Sequence, residues 1–160
     1  MTQSGGQLDA LLDLSRQLRS KGIRYALIGG IAVGIRSDTP RATDDIDIAV
    51  ATSSTRRDVI SALEAAAFEL TGEYEHSVNL RHPSGEPVQV AFDPFFDDMV
   101  DRAEALDVGG VPISVVTHED LIRTKERAAA DPSRRKSKAF RDRADIELLR
   151  GDVPTDDEGW

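Results

Sequence analysis

The chain has 160 residues, a length that fits one compact domain with its own hydrophobic core. Hydrophobic residues make up 39% of the chain and charged residues 31%, which is ordinary for a soluble globular protein. Because the chain has no cysteine, disulfides, thiolate chemistry and cysteine-ligated zinc or iron–sulfur clusters are excluded. No apolar run approaches the ~20 residues of a membrane span, and no signal-peptide pattern is present, so we expect a cytoplasmic protein without a membrane partner.

The formal net charge is −9, and it is unevenly distributed. The last ten residues hold four acids and no base, so we expect one domain over residues 1–150 and a disordered acidic tail over 151–160. The segment 123–143 instead holds nine bases against three acids. This basic segment has two interpretations: a solvated helical surface, or a wall that binds a polyanion such as a nucleotide triphosphate or an RNA end.

Hydrophobic periodicity and turn residues predict an α+β domain, in which a small mixed β-sheet is flanked by helices. The predicted helices cover 7–21, 31–36, 56–67, 95–106, 117–130 and 137–150, and the predicted strands cover 23–28, 45–51, 68–70, 76–82, 87–93 and 111–116. In the last helix we expect the inward positions to be Phe140, Ala144, Leu148 and Leu149.

Two aspartates alternate with isoleucines at the start of the second predicted strand. Side chains at i and i+2 of a strand share one face, so Asp45 and Asp47 would lie about 6.6 Å apart along the chain. Like charges side by side on one strand repel each other. A divalent cation would remove that repulsion, since hard cations such as Mg²⁺ prefer carboxylate oxygens. The pattern therefore indicates a metal site.

A Gly29-Gly30 pair stands between the first predicted strand and a short helix. Glycine lets the backbone approach a ligand closely, and a helix N-terminus offers N–H groups to phosphate. Such a pair is weak evidence alone, because most are simply turns. It gains weight from the two aspartates downstream, which are preceded by Arg41 and Thr43.

The combination of Ile28-Gly29-Gly30 with Asp45-Ile46-Asp47-Ile48 resembles the signature of the nucleotidyltransferase superfamily of the DNA polymerase β type. The residues around it look most like the minimal, AbiEii-type abortive-infection nucleotidyltransferases. This resemblance implies transfer of a nucleotide from an NTP to a hydroxyl acceptor with Mg²⁺, as two ions. It implies that Asp45 and Asp47 hold the metal, and that the nucleotide contacts are made by Gly29, Gly30, Arg41, Thr43 and Lys125.

A third carboxylate on a neighbouring strand completes the site in this superfamily, and here the chain departs from the pattern. The matching position holds Gln89, and an amide is a poor base and a poor metal ligand. Asp93 shares the strand face with Gln89 but lies about 13 Å further along. Either a shifted strand or a bulge makes Asp93 the third catalytic carboxylate, or the site is incomplete, which is the interpretation we favour.

Lys125 falls within the apolar stripe of its predicted helix, beside Leu121 and Ile122. A lysine there must reach outward, pair with an acid or meet a ligand phosphate. Asp145, on the last predicted helix, is a candidate partner. Structural pairing and phosphate contact both remain open at this point.

The leading hypothesis is a Mg²⁺-dependent nucleotidyltransferase whose acceptor is a protein, a tRNA or an antibiotic-like small molecule. The AbiEii-type resemblance favours a toxin or phage-defence component with a cognate antitoxin. The alternative is a catalytically silent module that binds a nucleotide or a partner on the same fold, an interpretation that Gln89 supports. A third reading makes Asp45 and Asp47 only an exposed strand edge.

Overall fold

The computed structural model describes residues 5–39, 45–133 and 135–151. The described helices are α1 (Gly5–Ser20), α2 (Gly29–Ser37), α3 (Arg56–Ala65), α4 (Asp97–Arg102), α5 (His118–Ala130) and α6 (Lys136–Arg150), with a 3₁₀ turn at Pro94–Phe96. The strands are β1 (Tyr25–Ile28), β2 (Ile46–Val50), β3 (Glu69–Glu73), β4 (Ser77–Arg81), β5 (Pro87–Ala91), β6 (Glu104–Val108) and β7 (Val111–Val115). Within these ranges, none of the helices combines the length and hydrophobicity that crossing a membrane would require.

All these strands join one mixed sheet in the order β3-β4-β5-β2-β1-β7-β6. The strand that carries Asp47 is central in this order, antiparallel to β1 and parallel to β5. Its side chains alternate: Ile46 and Ile48 are fully buried, whereas Asp47 is half-buried on the opposite face. The α+β architecture with a mixed sheet and flanking helices is therefore confirmed.

Helices bury both faces of the central strands. Helices α1 and α3 pack against each other and against the sheet, while α2 covers β1 and β2. Helices α5 and α6 pack together and against α2. Arg36 fixes the end of α2, because its Nε donates to the Val116 carbonyl at 2.8 Å and its Nη2 to Glu104 Oε1 at 2.7 Å. The C-terminal end of α2 is thereby tied to β6 and to the residue that follows β7.

The predicted helix over 95–106 is wrong in its last four residues, 103–106. Asp93 caps the 3₁₀ turn by accepting from the Phe95 N–H at 2.9 Å, and α4 ends at Arg102. The chain then forms β6, which returns through Gly109 and Gly110 to pair with β7. Both glycines adopt positive φ, at 58° and 82°. The apolar spacing of 95–106 does not reveal this hairpin, because β6 gains its stability from pairing with β7.

The inward face of α6 also differs from the prediction. Phe140 is 63% exposed, and Ala144 is exposed as well. Leu149 is buried as expected, but the other buried positions are Ala139, Asp142, Asp145 and Ile146. Two aspartates, Asp142 and Asp145, thus lie on the buried face of α6, where only apolar residues were expected. The reason lies on α5, in the contacts of Lys125 described below.

Candidate active site

Gly29 and Asp47 touch at the point where β1 ends and α2 begins. Gly29 has φ of +75°, a left-handed backbone conformation that favours glycine. A Cβ added there would lie 2.4 Å from Asp47 Oδ2 and 2.9 Å from its Cβ. The space that any larger residue would need is therefore filled by the aspartate, so the first glycine of the motif and its second aspartate form one structural unit.

Asp47 is electrostatically strained. Burial, together with repulsion from the Asp45 carboxylate, raises the pKa of Asp47 to about 6, although Lys125 lowers it in part. Its folded-state pKa thus lies above the ordinary value, so ionisation of Asp47 opposes folding as the pH rises through about 6. Asp45, two residues earlier, is exposed at the mouth of the site. Asp45 directly precedes β2, and its carboxylate is close enough to Asp47 to raise the pKa of that residue.

A divalent cation fits this arrangement. Asp47 Oδ1 is buried and has no hydrogen-bond partner in the described residues. A buried carboxylate oxygen without a donor is costly, and a cation would satisfy it. No group of three His, Asp or Glu residues within the described ranges has the arrangement of a complete metal site. If a cation binds here, Asp45 and Asp47 would be its protein ligands, and water or a substrate phosphate would supply the rest.

The N-terminus of α2 suits an anion. Ile28 occupies the N-cap position, and no described side chain caps the helix there. The first N–H groups of α2, from Gly29 and Gly30 onward, therefore have no helical acceptor and carry the positive end of the helix dipole. These N–H groups lie beside Asp47, and their contact with a phosphate stays a prediction. Arg41 and Thr43, also predicted to contact the nucleotide, lie outside the described residues.

Gln89 is directly opposite Asp47 across the parallel pair of β2 and β5. Asp93 lies beyond the end of β5, where its carboxylate accepts from Phe95 N–H and lies 3.5 Å from Arg127 Nη2. The described register is regular from Ile46↔Val88 to Ala49↔Ala91, without a bulge. The strand position closest to the aspartate pair is thus an amide, and Asp93 takes part in a helix cap and an ion pair.

Lys125 lies between two buried carboxylates of α6. Its Nζ is 3.3 Å from Asp142 Oδ1 and 3.2 Å from Asp145 Oδ2, and the lysine side chain is only 12% exposed. The pairing with Asp145 was anticipated, whereas Asp142 was missed. The signal was available, because Asp142 and Asp145 are three apart on a helix and so share one face. Since Lys125 also influences Asp47, its ammonium group belongs to the electrostatics of the site.

The basic segment 123–143 is divided by the structure. Lys125 and Arg127 are engaged with acids, while Arg135, Lys136, Lys138, Arg141 and Arg143 are exposed along the loop and first turns of α6. Exposure is compatible with a solvated surface and with a polyanion-binding wall. Both interpretations therefore stay predictions.

Several nucleotidyltransferases of known structure have a fold similar to that of this chain. The antibiotic-resistance factor ANT(2″)-Ia, in complex with adenylyl-2″-tobramycin, is 16% identical with a TM-score of 0.65, over 95% of this chain and 92% of its own. The lincosamide antibiotic adenylyltransferase LnuA, bound to lincomycin, is 17% identical with a TM-score of 0.63, over 96% of this chain and 100% of its own. An antigenic nucleotidyltransferase-like protein from Paracoccidioides brasiliensis is 23% identical with a TM-score of 0.62, over 99% of this chain and 82% of its own. These likenesses show that the fold is that of nucleotidyltransferases.

Comparison of the sequence with protein families assigns the chain to one particular family. Residues 11–158 match the family model described as nucleotidyl transferase AbiEii toxin, type IV toxin–antitoxin system. The match covers most of the chain, which therefore belongs to this family. A comparison with curated protein sequences found no match. The family predicted from the Gly-Gly and Asp-Ile-Asp motifs is confirmed.

Proposed function

We propose that this protein transfers a nucleotidyl group from an NTP to a hydroxyl group of an acceptor, using Mg²⁺ held by Asp45 and Asp47. The observation that carries the proposal is the buried Oδ1 of Asp47, which has no hydrogen-bond partner among the described residues, while Oδ2 of the same carboxylate packs on Gly29 at the start of α2. This contact brings a cation ligand next to an uncapped helix N-terminus. A nucleoside triphosphate with its metal has the charges that both halves of this site would bind.

Each residue of the proposed site has its own role in the transfer. Gly29, Gly30 and the following N–H groups would hold the phosphates, and Lys125 would balance charge near Asp47. The acceptor oxygen forms a bond to the α-phosphorus, the bond from that phosphorus to the bridging oxygen breaks, and pyrophosphate leaves. The hydroxyl proton passes to water or to an aspartate, because Gln89 has no basic group. Bound Mg²⁺ would neutralise the triphosphate and stabilise the leaving pyrophosphate.

The family description supports a toxin role with a cognate antitoxin as partner. The acceptor belongs to one of three classes: a protein, a tRNA or an antibiotic-like small molecule. The ANT(2″)-Ia structure contains a member of the third class, tobramycin, joined to an adenylyl group. A cytoplasmic location follows from the same family role.

The test is incubation of the protein with cell extract, Mg²⁺ and each α-labelled NTP, followed by identification of the labelled acceptor. Asp45→Asn and Asp47→Asn should each reduce labelling by at least about 100-fold, because both remove a metal-binding carboxylate. Asp107→Asn is the matched control, since Asp107 is an exposed aspartate on β6, remote from β2 in the sheet order. Full labelling by Asp45→Asn and Asp47→Asn would refute the metal assignment.

A second candidate function rests on a specific observation, the placement of Gln89 opposite Asp47. With only two carboxylates, the site would bind Mg²⁺ and an NTP without turnover. Calorimetry with each NTP and Mg²⁺, run beside the labelling assay, separates the two functions. Binding without labelling of any acceptor supports the silent module, and labelling supports the enzyme.

A further inference from the structure

The outer face of α6 carries an exposed aromatic ring. Phe140 is 63% exposed, and it projects away from α5 and α2, the helices on which α6 packs. The buried positions on the opposite side of the helix are Ala139, Asp142, Asp145, Ile146 and Leu149. A single exposed aromatic residue is common on protein surfaces and does not by itself indicate a partner. The surroundings of the ring are therefore what can select one.

The residues next to this ring are basic or small. Lys136 precedes Phe140 by four positions and Arg143 follows it by three, so both lie on its side of the helix. The guanidinium of Arg143 lies over the ring, with its Cζ 5.6 Å from the ring centroid. Ala144, four positions after Phe140, is exposed and small. A second ring can therefore approach Phe140 from the side of Ala144.

The outer face of α6 has a positive charge balance. The exposed bases of residues 135–147 are Arg135, Lys136, Lys138, Arg141 and Arg143. The exposed acid in the same range is Glu147, because Asp142 and Asp145 are buried beside Lys125. This part of the helix therefore attracts negative charge.

The neighbouring acids do not cancel this charge. Glu126 of α5 reaches α6, but there it forms an ion pair with Arg150. Asp131, in the loop before α6, accepts from the Ser133 N–H at 2.9 Å and remains an exposed acid. Even when Asp131 is counted with Glu147, the described range 131–147 exposes five bases against two acids. An acidic occupant is therefore favoured.

The chain supplies an acidic segment directly after α6. Residues 152–160 lie outside the described residues, and their sequence contains no base, one tryptophan, Trp160, and the acids Asp152, Asp156, Asp157 and Glu158. Gly151 ends α6 with φ of 77°, and its N–H donates to the carbonyls of Glu147 and Leu148. A left-handed residue at this position turns the chain away from the helix axis.

The acidic segment 152–160 is long enough to reach Phe140. Phe140 is eleven positions before Gly151, so a rise of 1.5 Å per residue puts the two about 17 Å apart along α6. The nine residues of the segment span up to ~30 Å when extended. Because the segment is covalently attached, its effective concentration at this face is on the order of millimolar.

We propose that the acidic segment 152–160 docks on the outer face of α6, with Trp160 against Phe140 and its acids beside Arg141 and Arg143. Aromatic rings that pack together are stabilised, and here the surrounding charges are opposite. A single-stranded nucleic acid also combines rings with negative charge, but it must bind from solution, whereas the segment is already attached. The docked segment would compete with any polyanion for these bases. The proposal is independent of the proposed function, since it requires no nucleotide transfer.

The fluorescence of Trp160 tests the docking directly, because this residue is the only tryptophan of the chain. In the full chain, without nucleotide or Mg²⁺, acrylamide should quench Trp160 about twofold less efficiently than in Phe140→Ala, since the Phe140 ring shields one face of the indole. Tyr74→Ala is the matched control. It removes an aromatic ring that is 58% exposed between β3 and β4, and it should leave the quenching unchanged. Both rings are exposed, so neither replacement opens the core.

A change of charge provides a second measurement. Arg143→Glu should raise the quenching efficiency to that of Phe140→Ala, because it places an acid beside the acids of the segment. Arg57→Glu makes the same change at an exposed position of α3 and should leave the quenching unchanged. In about 1 M NaCl, where the Debye length is about 3 Å, Trp160 of the unmodified chain should become more accessible to acrylamide.

Each result supports or overturns the docking. Protection of Trp160 that is lost in both Phe140→Ala and Arg143→Glu, and that does not vary with protein concentration, supports it. Equal quenching in the unmodified chain and in Phe140→Ala overturns it, and tighter binding of a single-stranded oligouridylate by the unmodified chain than by Phe140→Ala would then assign the face to a polyanion. Protection that increases with protein concentration overturns docking within one chain and assigns the segment to a second copy.

Discussion

Gly29 and Gly110 adopt nearly the same left-handed backbone but differ in their surroundings. Their φ angles are +75° and +82°, yet an added Cβ meets Asp47 at Gly29 and nothing within 4 Å at Gly110. Substituting each glycine therefore distinguishes the cost of the left-handed backbone, which both positions share, from the cost of the steric contact with Asp47, which only Gly29 has. At the residue scale, this comparison shows what the motif glycine does: it leaves room for the carboxylate.

We expect Gly110→Ala to lower the free energy of unfolding by about 1 kcal/mol, the cost of a left-handed alanine. Gly29→Ala should cost roughly 3 kcal/mol, because the methyl group must also displace the Asp47 carboxylate. Urea unfolding of the two variants measures the difference. Equal losses in the free energy of unfolding would mean that position 29 requires glycine only for its left-handed backbone and not for the contact with Asp47.

At the scale of elements, helices α5 and α6 are joined by two kinds of ion pair. Lys125 binds Asp142 and Asp145 where the carboxylates are 1% and 3% exposed. Arg150 binds Glu126 between the same helices, but there the side chains are 49% and 54% exposed. Buried pairs are costly to break because one charge stays in a poorly solvated place, whereas exposed pairs contribute little.

Lys125→Met should therefore destabilise the protein by about 3 kcal/mol, since two buried carboxylates lose the ammonium between them. Arg150→Met is the matched control, and we expect it to cost less than about 0.5 kcal/mol. Urea unfolding at neutral pH measures both values. Adding Asp142→Asn and Asp145→Asn to Lys125→Met should recover most of the loss, and a similar cost for both single variants would contradict the assignment.

At the scale of the whole molecule, the sheet order decides which residue of β5 lies opposite Asp47. Strand β5 lies beside β2 because the β3-β4-β5 meander follows α3 back to the centre of the sheet. The resulting parallel pairing places an exposed amide opposite Asp47. A single substitution can therefore supply the third carboxylate that the superfamily resemblance implies at this strand.

Gln89→Asp should raise the affinity for Mg²⁺ by about tenfold or more, because a third carboxylate joins the pair on β2. Asn79→Asp adds the same charge one strand further away, about 4.8 Å beyond Gln89, and should have a much smaller effect. Isothermal titration calorimetry with Mg²⁺ measures both, and the labelling assay shows whether turnover rises. A lower Mg²⁺ affinity in Gln89→Asp would mean that position 89 lies outside the cation site.

Local patterns were sufficient for the family and the core strands, and they also predict the pair of catalytic candidates. Alternation of Asp45, Ile46, Asp47 and Ile48 predicts a shared carboxylate face, and this follows from the two-residue period of any strand. The Thr117 cap is likewise local: its hydroxyl accepts from the Asp120 N–H at 3.1 Å, three residues away. Such features depend on neighbours in the chain, so the sequence by itself determined them.

Tertiary structure alone decided the rest, because it depends on partners that are distant in the chain. Strand β6 forms by pairing with β7. Helix α6 directs two aspartates inward because they form ion pairs with Lys125 on α5. Whether Gln89 or Asp93 lies opposite Asp47 depends on the β2–β5 register. The periodicity of hydrophobic residues does not predict these partners, because strand pairing and buried ion pairs form between residues that are distant in the chain. The Gly-Gly and Asp-Ile-Asp motifs therefore predict the position of the site, and the strand register determines that Gln89 lies opposite Asp47.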